Sequence, residues 1–174
     1  MPEQRTTEPG PNEGVKQGTL HDDVLGPLTV TYTDAGIVAL SFGGDSGPLV
    51  KSLAEPLSRY LAGESIRLSS IPVSLVGTAF QQRVWTALRD VPRGHVRTYG
   101  GLAADVGSPR AMRAVGAAMG ANPIPIVVPC HRIVAKGYEL GGYSAGLERK
   151  RHLLTLEGVA LDGDRVRPGQ LTLV

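Results

Sequence analysis

The apolar pattern of this chain changes period once, and that change limits the folds open to it. In "GPLTVTYTDAGIVALSFGG", residues 26–44, apolar and polar residues alternate on either side of "DAG". This is the signature of two half-buried strands joined by a short turn. In "GPLVKSLAEPLSRYLAGE", residues 47–64, leucines and Tyr60 recur at helical intervals and the Ala-Gly-Glu end supplies a stop. Residues 65–77, "SIRLSSIPVSLVG", read as a further strand and a connection.

From Thr78 the spacing is mainly helical. "TAFQQRVWTALRDVP" opens with a threonine cap, sets Phe80, Val84, Trp85 and Leu88 on one face, and ends before Pro92. "TYGGLAADVG" and "SPRAMRAVGAAMGAN" predict a short Ala-rich helix, a turn at Gly107, and a second helix begun by Ser108 with Pro109 in its first turn. Two short helices about a glycine turn have the outline of a helix-turn-helix. Arg110 and Arg113, near the start of the second helix, stand where the dipole and the side chains both favour phosphate. "IPIVV", residues 124–128, reads as a buried strand with "PCHR" as the turn at its end. The class predicted is α/β (α+β). The expected divisions are an arm at 1–18, a sheet-plus-helix domain at 19–76, a mainly helical domain at 77–160 and a tail at 161–174.

With 174 residues, 41% of them hydrophobic, the chain has material for one good core or two small ones. No stretch approaches the roughly 18 apolar residues of a membrane span. The Pro-rich, acidic start lacks the apolar segment of a signal peptide, so a cytoplasmic address is expected. The single cysteine excludes an internal disulfide, and histidines at 21, 95, 131 and 152 form no ligand cluster, so neither metal nor cofactor is expected. The net charge of +2 conceals an asymmetry. Residues 1–76 carry five Lys and Arg against nine Asp and Glu, while residues 77–158 carry eleven against five. A basic C-terminal half suits a polyanion such as nucleic acid.

The one cysteine, Cys130, is followed directly by His131 and Arg132. A lone cysteine is most often a small buried hydrophobe. As a nucleophile it needs a group to take its proton, because an unperturbed thiol is mostly protonated at neutral pH. His131 is adjacent in sequence, which does not by itself bring the two side chains into contact, and one intervening water is enough to relay the proton. Glu139, Glu148 and Glu157 are the downstream carboxylates available to orient the imidazole, and spacing does not choose among them.

"PCHRIV" stands within longer blocks, "GTAFQQRVWTALRDVPRGHVRTYGGLA", "RAVGAAMGANPIPIVVPCHRIV" and "GGYSAGLERKRHLLTLEG". In order and spacing these resemble the O6-alkylguanine-DNA alkyltransferases, over about residues 24–158. The resemblance implies a small N-terminal antiparallel-sheet-plus-helix domain of ribonuclease-H-like type, then a helical domain holding a helix-turn-helix and the active site. It implies Cys130 as alkyl acceptor, His131 as its base through water, Glu157 as the orienting carboxylate, and Asn122 as a hinge between recognition helix and active-site turn. Tyr99 would support the flipped nucleotide and donate to guanine N3, and Arg113 would fill the gap in the base stack. Arg110, Ala111 and Met112 fall at the groove-facing start of the helix, and Arg132 is counted with the DNA-contacting set. Tyr143 and Ser144 would cover the alkyl group, with Ser144 donating to O6 and Pro125 as the opposite wall. The carbonyls of Cys130 and Ile133 would accept from the guanine amino group. Met112 departs from a frequent alanine and Ala145 from a frequent glycine, the latter narrowing the pocket.

These roles make chemical sense. Donors at O6 and N3 stabilise a leaving guanine where negative charge develops. The target atom is reachable only when the nucleotide is rotated out of the duplex. The implied partner is double-stranded DNA carrying O6-alkylguanine, met in the minor groove by a monomer that acts once. The rival readings are a cysteine hydrolase and a non-catalytic lesion-sensing DNA-binding protein.

Overall fold

A computed structural model describes residues 14–167. It opens with strands β1 (Lys16–Asp22), β2 (Gly26–Thr33) and β3 (Gly36–Phe42), an antiparallel sheet in that order. Leu28, Val30, Ile37 and Leu40 are the sheet's buried apolar residues. The expected alternation holds at Leu28 and Val30 but not strictly beyond them, since Thr29 is buried too, the register shifts at Thr31/Tyr32, and Ile37 and Leu40 stand three apart. The β2–β3 turn needs Gly36 twice over. Its φ is 132°, and a Cβ there would lie 2.5 Å from the Pro72 carbonyl oxygen. The sheet begins earlier than expected, since Lys16 already pairs with Tyr32, so residues 16–18 are strand and not arm. The rest of the expected arm lies outside the described residues.

Residues 65–77 form no strand. They make a 3-10 turn at Leu68–Ser70 and a single bridge between Ile37 and Val73. Pro72 has no N–H to continue a ladder, so pairing stops at one bridge. Helix α1 (Lys51–Leu61) buries Leu57 and Tyr60.

Helix α2 (Ala79–Asp90) starts at a reciprocal capping box in which the Thr78 hydroxyl accepts from Gln81 N–H and the Gln81 side chain accepts from Thr78 N–H. Its buried face is Val84, Trp85 and Leu88, with Phe80 partly covered. The Trp85 indole donates to the Ala118 carbonyl at 2.8 Å. Strand β4 (Arg97–Thr98) leads into helix α3 (Tyr99–Asp105), and helix α4 (Met112–Gly120) follows. α4 begins at Met112, four residues later than Ser108. Residues 108–111 are a turn closed by Ala111 N–H on the Ser108 carbonyl at 2.8 Å. Proline disfavours helical geometry in the residue before it, which keeps Ser108 out of the helix.

The predicted strand at 124–128 is also absent. A short strand β5 (Ile133–Val134) follows the Cys-His-Arg turn and pairs in parallel with β4. Helix α5 (Leu147–Leu156) comes next, then a hairpin of β6 (Leu161–Asp162) and β7 (Arg165–Val166). Val166 is fully buried in a small cluster with Val134, Leu140 and Leu154, so 161–166 belongs to the fold and not to a tail. Residues 168–174 lie outside the described residues. The larger apolar cluster takes Leu57 and Tyr60 from α1 as well as Trp85, Val115 and Ile133, and so spans the expected boundary at 76–77. Gly36→Ala is expected to lower stability by about 3 kcal/mol through strain and collision with Pro72, read as a lower denaturant midpoint at unchanged slope.

Candidate active site

The segment between α4 and Cys130 is shaped by one side chain. Asn122 accepts from Ile124 N–H through its carbonyl oxygen at 3.0 Å, and its amide nitrogen reaches the Val128 carbonyl at 2.8 Å and Cys130 Sγ at 3.2 Å. This Asx-type closure, with Pro123 and Pro125 removing donors, replaces strand by a tight loop. Ile126 sits at φ 76°, a costly conformation for a β-branched residue. The loop delivers Cys130 to the start of a 3-10 turn, Cys130–Arg132.

Behind that turn, Glu157 is the carboxylate that meets His131. His131 Nε2 lies 3.0 Å from Glu157 Oε1, and both side chains are fully buried. Arg132 donates to the same carboxylate from Nη2 at 2.7 Å and Nε at 2.9 Å, and Tyr60 from its hydroxyl at 2.6 Å. Burial alone would raise the Glu157 carboxyl, but His131 and Arg132 outweigh it and hold it well below the usual carboxylate range. Burial pulls the His131 imidazole down, with Glu157 opposing. The pair is therefore ionised glutamate and neutral histidine. Nε2 carries the hydrogen toward Glu157, and Nδ1, buried without a partner among the described residues, holds the free lone pair.

Cys130, 4% exposed, lines a cavity of about 210 Å³ with Tyr99, Gly116, Met119, Gly120, Gly142, Tyr143 and Ser144. Burial pushes its thiol up from the ordinary range, against the Asn122 hydrogen bond and the charge of Lys150. The resting sulfur is a thiol that needs a base, not a preformed thiolate. Burial also raises Tyr99 and Tyr143, so both hydroxyls stay protonated donors.

Two residues that sequence reasoning missed hold the loop over this cavity. Lys150, fully buried on α5, donates from Nζ to the carbonyls of Ile133 at 2.6 Å, Gly142 at 3.3 Å and Leu140. Burial pulls it down to about 8. Arg149 donates to the Ala145 carbonyl at 3.0 Å and lies 4.7 Å over the Phe42 ring, linking β3 to the loop. Neither had a sequence signal, because the partners are backbone carbonyls and a distant ring.

The remaining expected residues divide. Arg110, Met112 and Arg113 are exposed, Ala111 is half-buried, and Met112 and Arg113 open α4 while Arg110 lies in the preceding turn. Arg132 does not join them. It is 4% exposed and turned inward onto Glu157 and the Val91 carbonyl, so a DNA contact is corrected to a structural ion pair. Pro125 is absent from the cavity lining and bridges Val128 instead. The Ile133 and Cys130 carbonyls already accept, from Lys150 Nζ and from Ile133 N–H.

Residues 79–159 match the family model described as "6-O-methylguanine DNA methyltransferase, DNA binding domain". A methylated-DNA--protein-cysteine methyltransferase of Salmonella typhimurium is 44% identical over 134 residues, covering 77% of this chain and 75% of that protein. The chain belongs to this family. The similarly named Haemophilus influenzae protein is 47% identical over 115 residues, or 66% of this chain and 64% of its own length, just under two thirds. Among solved structures, Mycobacterium tuberculosis OGT in complex with DNA superposes with a TM-score of 0.74 at 38% identity, covering 82% of this chain and 92% of that one. The alkyltransferase fold class expected from the residues is thus the one observed.

Two measurements follow from the alkyltransferase site. His131 and Glu157 both bind protons more weakly folded than unfolded, so stability falls with pH, first below the ordinary histidine value of 6.5 and again below the ordinary glutamate value of 4.5. Melting temperature is expected to drop from pH 7 to 4, and His131→Gln to flatten the limb above pH 5. Arg149→Ala is expected to speed amide exchange across residues 142–146 about tenfold, or about 1.4 kcal/mol of local stability. Unchanged exchange would remove Arg149 as the tie.

Proposed function

We propose that this chain repairs DNA by direct reversal, moving the alkyl group of O6-alkylguanine onto Cys130 once per molecule. The observation that carries this reading is the thiol at a cavity wall with Asn122 on its sulfur, in the same turn as the His131 paired with Glu157. A resting thiol that ionises only as it reacts suits such a device. His131 Nδ1 takes the proton, through a water, as the sulfur attacks. The S–C bond forms while the C–O bond breaks, and the electron pair passes to the guanine. Tyr99 donates at N3 and Ser144 at O6, where the developing charge lies.

Arg113 is assigned to the gap left by the rotated nucleotide, at the exposed start of α4. Met112 extends the same face. Its sulfur lies 3.6 Å from where a Cβ on Gly100 would stand, so it packs beside the residue after Tyr99. Duplex DNA is the partner and no cofactor takes part. Among the described residues, no helix is long and apolar enough to cross a membrane.

The test is intact-protein mass spectrometry after mixing with a duplex bearing O6-methylguanine. A stoichiometric gain of one methyl on Cys130, absent in Cys130→Ala, is expected. Turnover beyond one equivalent would indicate a hydrolase, and DNA binding without mass gain a lesion sensor. Methylation crowds the Asn122 amide that donates to Sγ in the resting protein, and the loop at Tyr143. The spent protein is therefore expected to melt about 4 °C lower, equivalent to about 1–2 kcal/mol.

A further inference from the structure

A second cavity, about 550 Å³, lies behind the Glu157 network. Its wall comes from residues 65–69, from the end of α2 with the turn after it, and from Arg132. No residue of α3 or α4 contributes. Four arginines line it, Arg67, Arg89, Arg93 and Arg132, against one acidic residue, Asp90. Arg132 is neutralised by Glu157. Among the described residues the other three make no ion pair.

Two of these three are fixed in place without being neutralised. Arg89 Nη2 donates to the carbonyls of Ser69 at 2.7 Å and Ile71 at 2.8 Å. Arg93 Nη2 donates to those of Gly63 at 2.9 Å and Leu156 at 2.5 Å, and its Cζ lies 5.3 Å over the Tyr60 ring. Arg89 Nε and Arg93 Nη1 are buried with no acceptor among the described residues. Arg67 is exposed at the rim and is held by nothing described. Carbonyl bonds orient a guanidinium but leave its charge in place. Like charges gathered in a concave, partly desolvated wall raise the local potential and favour an anion.

We propose that this cavity binds a small phosphate-class oxyanion of about the size of diphosphate, held by Arg67, Arg89 and Arg93 with hydroxyl support from Ser65 and Ser69. Guanidinium forks match phosphoryl oxygens in charge and spacing. The concave shape suits a compact free anion better than a duplex, whose phosphates lie on a convex surface, and the helix carrying Arg113 is not part of the wall. The assignment is independent of the chemistry at Cys130.

The test is isothermal titration of the full chain with inorganic pyrophosphate at ionic strength held constant with sodium chloride. Saturable one-site binding is expected, weakened at least tenfold in Arg67→Glu and less in Arg67→Ala. Arg67 touches neither the thiol nor the Glu157 network, so circular dichroism and methyl uptake stay as in the parent. Binding that does not saturate, or equal affinity in Arg67→Glu, overturns the assignment. So does a duplex that displaces pyrophosphate and loses affinity for Arg67→Glu by the same factor, since the arginines would then form a DNA track.

Discussion

The carboxylate of Glu157 is the point on which the rest of the molecule turns. Buried ionised groups cost several kcal/mol unless their lone pairs are met. Here the Arg132 fork, the Tyr60 hydroxyl and His131 Nε2 meet them within 2.6–3.0 Å on their shortest contacts. The donors come from two places: Tyr60 from α1, His131 and Arg132 from the turn that carries Cys130. The same carboxylate that orients the base therefore docks the N-terminal half against the active-site turn. Arg132 supplies a permanent positive charge to this carboxylate, and His131 adds its contact at Nε2. The Nδ1 of His131 has no partner among the described residues.

The thiol is in the opposite condition. Its surroundings favour the neutral form, yet donors stand ready for the charged one. Asn122 already donates to Sγ, and Lys150 contributes its charge from beneath the loop. A thiolate at Cys130 in turn raises Lys150, so these two buried groups favour each other's charged forms. Burial thus disfavours ionisation of the resting thiol, while Asn122 and Lys150 favour the thiolate.

Where local chemistry decides conformation, the sequence was legible. The Thr78 cap, the apolar face at Val84, Trp85 and Leu88, and the β2–β3 hairpin follow from hydrogen bonding and spacing within a few residues. "IPIVV" misled because β-branched composition favours strand, whereas Asn122 and two prolines close a loop and force Ile126 to positive φ. The start of α4 was misplaced because a proline after serine also marks a turn. In the site, the Cys-His adjacency was legible in the residues themselves, and the choice of Glu157 came from motif resemblance. The roles of Tyr60, Lys150 and Arg149 depend on contacts with Glu157, Ile133 and Phe42, distant in the chain, to which no local pattern points.

These long contacts explain why the reactive sulfur and the fold are hard to separate. Asn122 closes the loop at Val128 and touches Sγ with the same amide group, so the nucleophile is also an acceptor in the scaffold that holds it. A catalyst meant to turn over would keep its nucleophile free of such duty, since every covalent intermediate would perturb the scaffold. For a group modified once the coupling has no such penalty. The strained backbone at Ile126 lies between the two ends of that closure, so whatever loosens Asn122 removes the restraint that holds the strain in place. Modification of one sulfur thereby reaches the backbone directly, without any second site or moving domain to relay it.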